Sequence, residues 1–166
     1  LKFHKASINS KELKKNDIFF AIKGKKNDGN KFLKEAIKRK SSLLITNKIN
    51  KDLSLTKQIK VKNTLNFLTE CASNYRDNIK SNIIGITGSC GKTSLKELLG
   101  NGMKKIAKTY FSPKSYNNKF GVPLSLFNLK QDNKFGIFEI GMDKKGEINF
   151  LSKILKPNLG IITNIS

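Results

Sequence analysis

The chain has 166 residues, 37% of them hydrophobic, which is enough for one ordinary domain or two small ones. Its apolar runs are too short to cross a membrane, its first residues lack the apolar core of a signal peptide, and Cys71 and Cys90 supply neither a disulfide framework nor metal-ligand spacing, so a reducing cytoplasm is expected. The net charge of +21 does not by itself mark a nucleic-acid binder, because it comes from evenly scattered lysines with only Arg39 and Arg76 among them. Lys, Asn and Ile are the residues an AT-rich genome over-produces, and codon bias accounts for the charge without a polyanionic partner.

In chain order, Asp17 to Lys23 (DIFFAIK) has the length and apolarity of a strand. Phe32 to Lys40 follows with apolar residues at Phe32, Leu33, Ala36 and Ile37, a helical spacing. Strands are expected at Leu43 to Thr46 and around Ile59 to Val61, and a helix over Thr64 to Tyr75. The polar stretch Arg76 to Asn82 reads as a linker, which predicts two domains, 1–80 and 81–166. In the second half, Ile83 to Thr87 is a buried-type strand, Lys92 to Met103 a helix, and Lys108 to Phe111 and Phe135 to Ile140 are strands. A helix over Glu147 to Leu155 stops at Pro157, and Leu159 to Thr163 forms the last strand. Alternating strands and helices with apolar strands predict an α/β fold with a mainly parallel sheet covered on both faces.

The segment Thr87-Gly88-Ser89-Cys90-Gly91-Lys92-Thr93 joins the strand Ile83 to Thr87 to the helix that begins at Lys92. Its glycines let the backbone turn tightly and bring N–H groups against phosphate oxygens, and the helix N-terminus adds partial positive charge there. Lys92 supplies a full charge for the β- and γ-phosphates of ATP, and the Thr93 hydroxyl is a ligand for Mg²⁺. The common form of such a loop places a glycine where Ile86 stands, so the glycine spacing here is the shorter GxxGKT. A chance glycine turn with a capping threonine is the bland alternative, and the strand before and helix after count against it. Cys90 occupies a free position in the loop, with no histidine nearby in sequence to activate it. A second metal ligand is expected at the end of a neighbouring strand, and Glu139 fits. A lone glutamate is ordinarily solvated, but this one lies in the apolar run FGIFEI, where burial without a cation is costly.

These residues resemble the Mur ligase family, whose members carry the loop TGxxGKT. Ser115 to Leu124 (SYNNKFGVPL) is similar to the NNxxGVPL segment of one branch, and Glu139 to Ile148 (EIGMDKKGEI) to its ExGxxxxGEI segment. Pro157 to Ile165 (PNLGIITNI) is similar to the strand that follows. Upstream, Asp17 to Phe32 resembles the motif of the family's N-terminal domain, which ends GxxxDGxxF. Where the family often has Asp-Ser-Arg, this chain has Asn9-Ser10-Lys11, and lysine lacks the two-pronged contact of arginine.

The resemblance implies a small N-terminal α/β domain that holds the uridine nucleotide of a substrate, with Ser10, Lys11, Gly24, Asp28 and Gly29 as its substrate-binding residues. It implies an incomplete central ATP-binding domain in which Thr87, Gly88, Ser89, Cys90, Gly91, Lys92, Thr93 and Asn117 bind ATP, Lys92 and Asn118 act in catalysis, and Thr93 and Glu139 hold Mg²⁺. A polar turn before Gly121 is the alternative for Asn117 and Asn118. The branch in question is a cell-wall ligase that joins D-alanyl-D-alanine to a UDP-linked muramoyl tripeptide through an acyl phosphate. The family enzyme also has a metal-binding histidine, a carbamylated lysine and a C-terminal domain, all expected after Ser166, so the chain is expected to be a monomeric fragment that begins after the natural start. The competing expectations are another Mur-type ligase, including a folyl-polyglutamate type, a basic nucleic-acid-binding module, and a degenerate homologue that only binds nucleotide.

Overall fold

The structure, a computed structural model, describes residues 4–24 and 27–165; Lys25 and Lys26 of the Asp17 to Phe32 motif lie outside the described residues. The chain forms two compact units, Leu1–Glu70 and Cys71–Ser166.

In the first unit the strands are β1 (Ala6–Ser7), β2 (Ile18–Phe20), β3 (Leu43–Thr46) and β4 (Gln58–Lys60), paired in that order and all parallel. Helix α1 (Leu33–Lys38) returns the chain from β2 to β3 and buries Leu33 and Ala36. They pack with Leu13, Phe19, Ala21 and Leu44 in one apolar cluster. A 3₁₀ turn shapes the loop after each of β1 and β2. Asn9 accepts from the Lys11 N–H to start the turn Ser10–Glu12, and Asp28 accepts from the Asn30 N–H to start Gly29–Phe32.

Helix α2 (Thr64–Asn78) spans the division between the units and runs three residues past the expected end at Tyr75. The expected linker Arg76 to Asn82 is therefore not one. Arg76 to Asn78 are helical, Ile79 and Ser81 are buried, and Asn82 already belongs to the next strand. Packing supplies what local polarity hides: Ile79 joins the core of the second unit, and Arg76 reaches carbonyls at the end of another helix in the same unit.

The second unit holds β5 (Asn82–Thr87), α3 (Lys92–Lys104), β6 (Thr109–Phe111), α4 (Gly121–Phe127), β7 (Phe135–Glu139), α5 (Glu147–Leu155) and β8 (Leu159–Ile162). All its strand pairs are parallel, in the order β6-β7-β5-β8. Alternation along the strands divides the apolar residues between the two faces. Ile84, Ile86 and Ile137 face Leu95, Leu99 and Met103 of α3. Ile83 and Phe138 face the other way, against Val122 and Leu126 of α4 and Leu151, Ile154 and Leu155 of α5. Because β5 pairs with β7 on one side and β8 on the other, the chain leaves β5 in one direction and returns across it in the other. In such sheets the crevice at the strand C-terminal ends, where the order reverses, is the place for ligands.

Candidate functional site

The loop after β5 opens into that crevice. Gly88 has φ 136° and Gly91 has φ 79°, both in the region where glycine is the natural occupant. Gly91 precedes α3 with no side chain capping the first turn, so the helix begins as a cradle for an anion. The Lys92 ammonium folds back along the loop, donating to the Gly88 carbonyl at 2.5 Å and to that of Ser89 at 3.4 Å. The segment after β8 holds the loop from behind. Ser89 N–H donates to the Asn164 carbonyl at 3.0 Å, Cys90 N–H to Asn164 Oδ1 at 3.1 Å, and Thr163 Oγ1 to the Cys90 carbonyl at 2.6 Å. Cys90 Sγ also receives the Asn164 amide at 3.3 Å, which makes the cysteine part of the loop's scaffold. Thr87 completes the seam: its hydroxyl donates to the Ile140 carbonyl and its own carbonyl accepts from Thr163 N–H.

Glu139 ends β7 beside Ile86 of β5, and its position two residues from Ile137 turns it to the α3 face. Only 1% of it is exposed. Thr93 Oγ1 donates to its Oε2 at 2.8 Å and Asn117 Nδ2 to its Oε1 at 2.8 Å, while Ser115 Oγ lies 3.5 Å from Thr93 Oγ1. This is a hard-oxygen donor set with a buried carboxylate at its centre, beside the phosphate cradle. Among the described residues no cluster of three or more His, Cys, Asp or Glu stands ready to hold a metal alone. Mg²⁺ rarely needs one, since it takes one or two carboxylates and completes its shell with substrate phosphates and water. Thr93 and Glu139 fit that mode.

The two adjacent asparagines do different work. Asn117 faces Glu139 through its amide, and its carbonyl accepts from Gly141 N–H at 2.6 Å. Asn118 turns its Oδ1 to the N–H groups of Phe120 and Gly121, both at 3.0 Å, and so caps α4; the amide nitrogen of the same side chain is what it offers to a ligand. A cavity of about 460 Å³ opens beside it, lined by Lys119, Phe120, Lys144, Glu147 and Phe150.

In the first unit, a cavity of about 420 Å³ is lined by Asp28, Asn30, Lys31, Lys48, Asn50 and Lys51. Asn30 ties its wall together, donating to Asp28 Oδ1 and Asn47 Oδ1 and accepting from the Thr46 hydroxyl. The hydrogen bonds from the Asn30 backbone and side chain hold the Asp28 carboxyl below its ordinary range. Gly29 sits where a β-carbon would lie 2.6 Å from the Ala21 carbonyl carbon, so it allows the loop to close against β2. Gly24 N–H donates to the Asn27 carbonyl. Ser10 is buried with its hydroxyl on Glu35 Oε2 at 2.7 Å, and Lys11 is exposed. Of the five residues expected to bind substrate in this unit, Asp28 lines the cavity. Asn30, Lys48 and Lys51 join it although no motif singled them out, and their own contacts and the cavity are the signal that does. Thr163, Asn164 and Ser115 are the corresponding additions in the second unit.

Residues 86–166 match the Mur ligase middle domain. Over this segment the chain is similar to that family. It is 37% identical over 163 residues to the UDP-N-acetylmuramoyl-tripeptide–D-alanyl-D-alanine ligase of Rickettsia prowazekii, covering 98% of this chain and 36% of that one. Among solved structures of Mur ligases, it superposes on the UDP-N-acetylmuramoylalanyl-D-glutamyl-2,6-diaminopimelate–D-alanyl-D-alanyl ligase of Acinetobacter baumannii with a TM-score of 0.86, at 28% identity, covering all of this chain and 37% of that one. A Mur ligase of the MurF type from Thermotoga maritima, solved in complex with ADP, matches with a TM-score of 0.79 and 29% identity over 97% of this chain and 37% of its own. The chain thus spans about a third of the length of the Mur ligases it matches.

Proposed function

We propose that this chain is part of an ATP-dependent ligase that joins D-alanyl-D-alanine to UDP-N-acetylmuramoyl-tripeptide, a step of peptidoglycan precursor synthesis in the cytoplasm. The first unit, Leu1–Glu70, holds the uridine nucleotide of the substrate, and the second, Cys71–Ser166, begins the ATP-binding domain. The observation that carries the chemistry is the buried Glu139 carboxylate, gripped by Thr93 and Asn117 at the mouth of the phosphate loop. The likeness to D-alanyl-D-alanine-adding relatives over 98% of the chain supports the choice of substrates.

The reaction must bring two anions together, a substrate carboxylate and the γ-phosphate of ATP. Lys92 leaves the Gly88 carbonyl for the β- and γ-phosphates and offsets that repulsion. Thr93 and Glu139 hold Mg²⁺, which supplies further positive charge to the phosphate oxygens when bound. A carboxylate oxygen attacks the γ-phosphorus, the bond to the β-phosphate oxygen breaks, and ADP leaves with that electron pair, giving an acyl phosphate. The amine of D-alanyl-D-alanine attacks the acyl carbon and loses a proton, phosphate departs, and an amide remains. The Asn117 amide fixes the Glu139 carboxylate, and Asn118 Nδ2 lies free to orient the acyl or phosphoryl oxygens. The cavity lined by Lys119, Lys144 and Phe150 gives the peptide end of the substrate a place next to this centre.

The test is to assay the full-length protein with ATP, the UDP-linked tripeptide and D-alanyl-D-alanine, following ADP and the coupled product together. ADP release that requires both substrates is expected, and Lys92→Ala should abolish it. ADP release that depends on a different acceptor, such as glutamate on a folate, would overturn the assignment of substrate. Turnover that survives Lys92→Ala would overturn the role of the loop.

A further inference from the structure

One ammonium group next to the site is unused by the chemistry above. Lys96 lies on α3, three residues beyond Thr93 and four beyond Lys92, yet 0% of it is exposed. In a chain whose many other lysines serve as solvated surface, a buried one needs a reason, since an unpaired charge in the interior is costly. Its partners are the Glu97 carboxylate at 3.2 Å and the carbonyl of Lys114. Lys114 has φ 53°, the left-handed conformation that any residue with a β-carbon adopts reluctantly. The next residue is Ser115, which approaches Thr93, and two further on is Asn117, which bonds Glu139. The loop from Lys114 to Asn117 therefore lies along α3, joined to it one turn below by Lys96 and at the metal-side cluster by Thr93.

We propose that Lys96 is a positioning residue for the divalent-cation side of the site. It anchors the Lys114 carbonyl, fixes the left-handed turn there, and so delivers Ser115 and Asn117 to Thr93 and Glu139. The inference rests on the ATP- and Mg²⁺-dependent reading above. Lys96 acts on that side alone, because the phosphate cradle itself, from Gly88 to Lys92, is braced from the opposite direction by Thr163 and Asn164.

The distinction is measurable in the full-length protein by calorimetric titration with two probes, ADP in the presence of EDTA and ATP in millimolar Mg²⁺. With Lys96→Met, which keeps the volume and removes the donor, ADP affinity without metal should stay within about twofold of the parent, while the affinity that Mg²⁺ adds for ATP should fall about tenfold, the usual weight of a lost charge-assisted hydrogen bond. Lys96→Gln, whose amide still donates to the Lys114 carbonyl, should recover part of that gain. A folded Lys96→Met protein that keeps the full magnesium gain, or that loses ADP affinity in step with it, would overturn the proposal; so would equal losses in the Met and Gln variants. If burial of the substitution prevents folding, an ester in place of the Lys114–Ser115 amide weakens the same carbonyl as an acceptor without touching a side chain, and should lower the magnesium gain about threefold; an unchanged gain there has the same adverse meaning. A parent protein that binds no ATP would instead overturn the function proposed above, so the two failures are told apart.

Discussion

A β-carbon placed on Gly88 would lie 2.0 Å from Thr163 Oγ1 and 3.0 Å from the backbone of Asn164, and the backbone there already has φ 136°. Neither neighbour can retreat without breaking the bonds that hold Ser89 and Cys90. Gly88→Ala should therefore lower stability by about 3 kcal/mol and weaken ADP binding at least about 100-fold. Urea unfolding and nucleotide titration on the same preparation check both, and a variant that binds ADP normally would show that the loop opens more readily than this packing allows. Gly91, where no atom closer than 4.0 Å meets such a carbon, owes its identity to its φ of 79° alone. The residue pattern of the loop was legible in advance because its chemistry is local: glycines, lysine and threonine act within seven positions. Lys96, Thr163 and Asn164 were not, because what gives each its role is a partner 18 to 76 residues away.

Elements with strong internal periodicity and clear punctuation were read to the residue. Strand β3 (Leu43–Thr46) and helix α5, bounded by Gly146 and Pro157, are two such cases. Helix α4 went unread because Gly121 and Pro123 look like loop residues. Both lie in its first turn, where a proline's missing N–H has no bond to make, and Asn118 supplies the cap. Strand β1 is two residues long and carries no periodicity at all. The overlooked end of α2 has the clearest energetic consequence. Arg76 Nε donates to the Leu155 carbonyl at 2.6 Å, and its Nη2 to the Lys156 carbonyl at 2.8 Å and Asn158 Oδ1 at 3.1 Å. One guanidinium thus closes the C-terminal end of α5 where Lys156 turns left-handed at φ 43°, a fork of donors that lysine cannot supply. Arg76→Met should cost about 2 kcal/mol of stability, read from the urea midpoint, and Arg76→Lys should recover less than half of it. Full recovery by lysine would mean that charge rather than the fork is what matters.

On the scale of the whole molecule, the second unit carries two tyrosines, Tyr110 on β6 and Tyr75 on α2, whose ionisation opposes folding. Burial pushes the Tyr110 phenol, next to Phe138, far above its ordinary value of 10.0, and burial followed by the nearby Asp132 charge pushes Tyr75 up as well. Above pH 10 the unfolded chain gives up phenolic protons that the folded chain keeps, so the unfolded state binds fewer protons and stability falls as the pH rises; below that value this stabilisation is fully present. The urea midpoint should drop between pH 9 and 11, and Tyr110→Phe should make the drop shallower; an identical slope in the two proteins would remove Tyr110 from the account. The parallel α/β plan was visible from the alternation of apolar strands and helices, whereas the order β6-β7-β5-β8 was not, since no local pattern states which strands are neighbours.

That order fixes when the loop can exist. The groups that brace Ser89 and Cys90 belong to Thr163 and Asn164, so a growing chain that has released β5 and α3 from the ribosome still lacks the back wall of that loop. On the function proposed above, competence to bind ATP follows the placing of β8 beside β5 and not the synthesis of the loop itself. On the same proposal the nucleotide works in the other direction as well: a bound phosphate that tightens the loop also clasps β8 to the sheet.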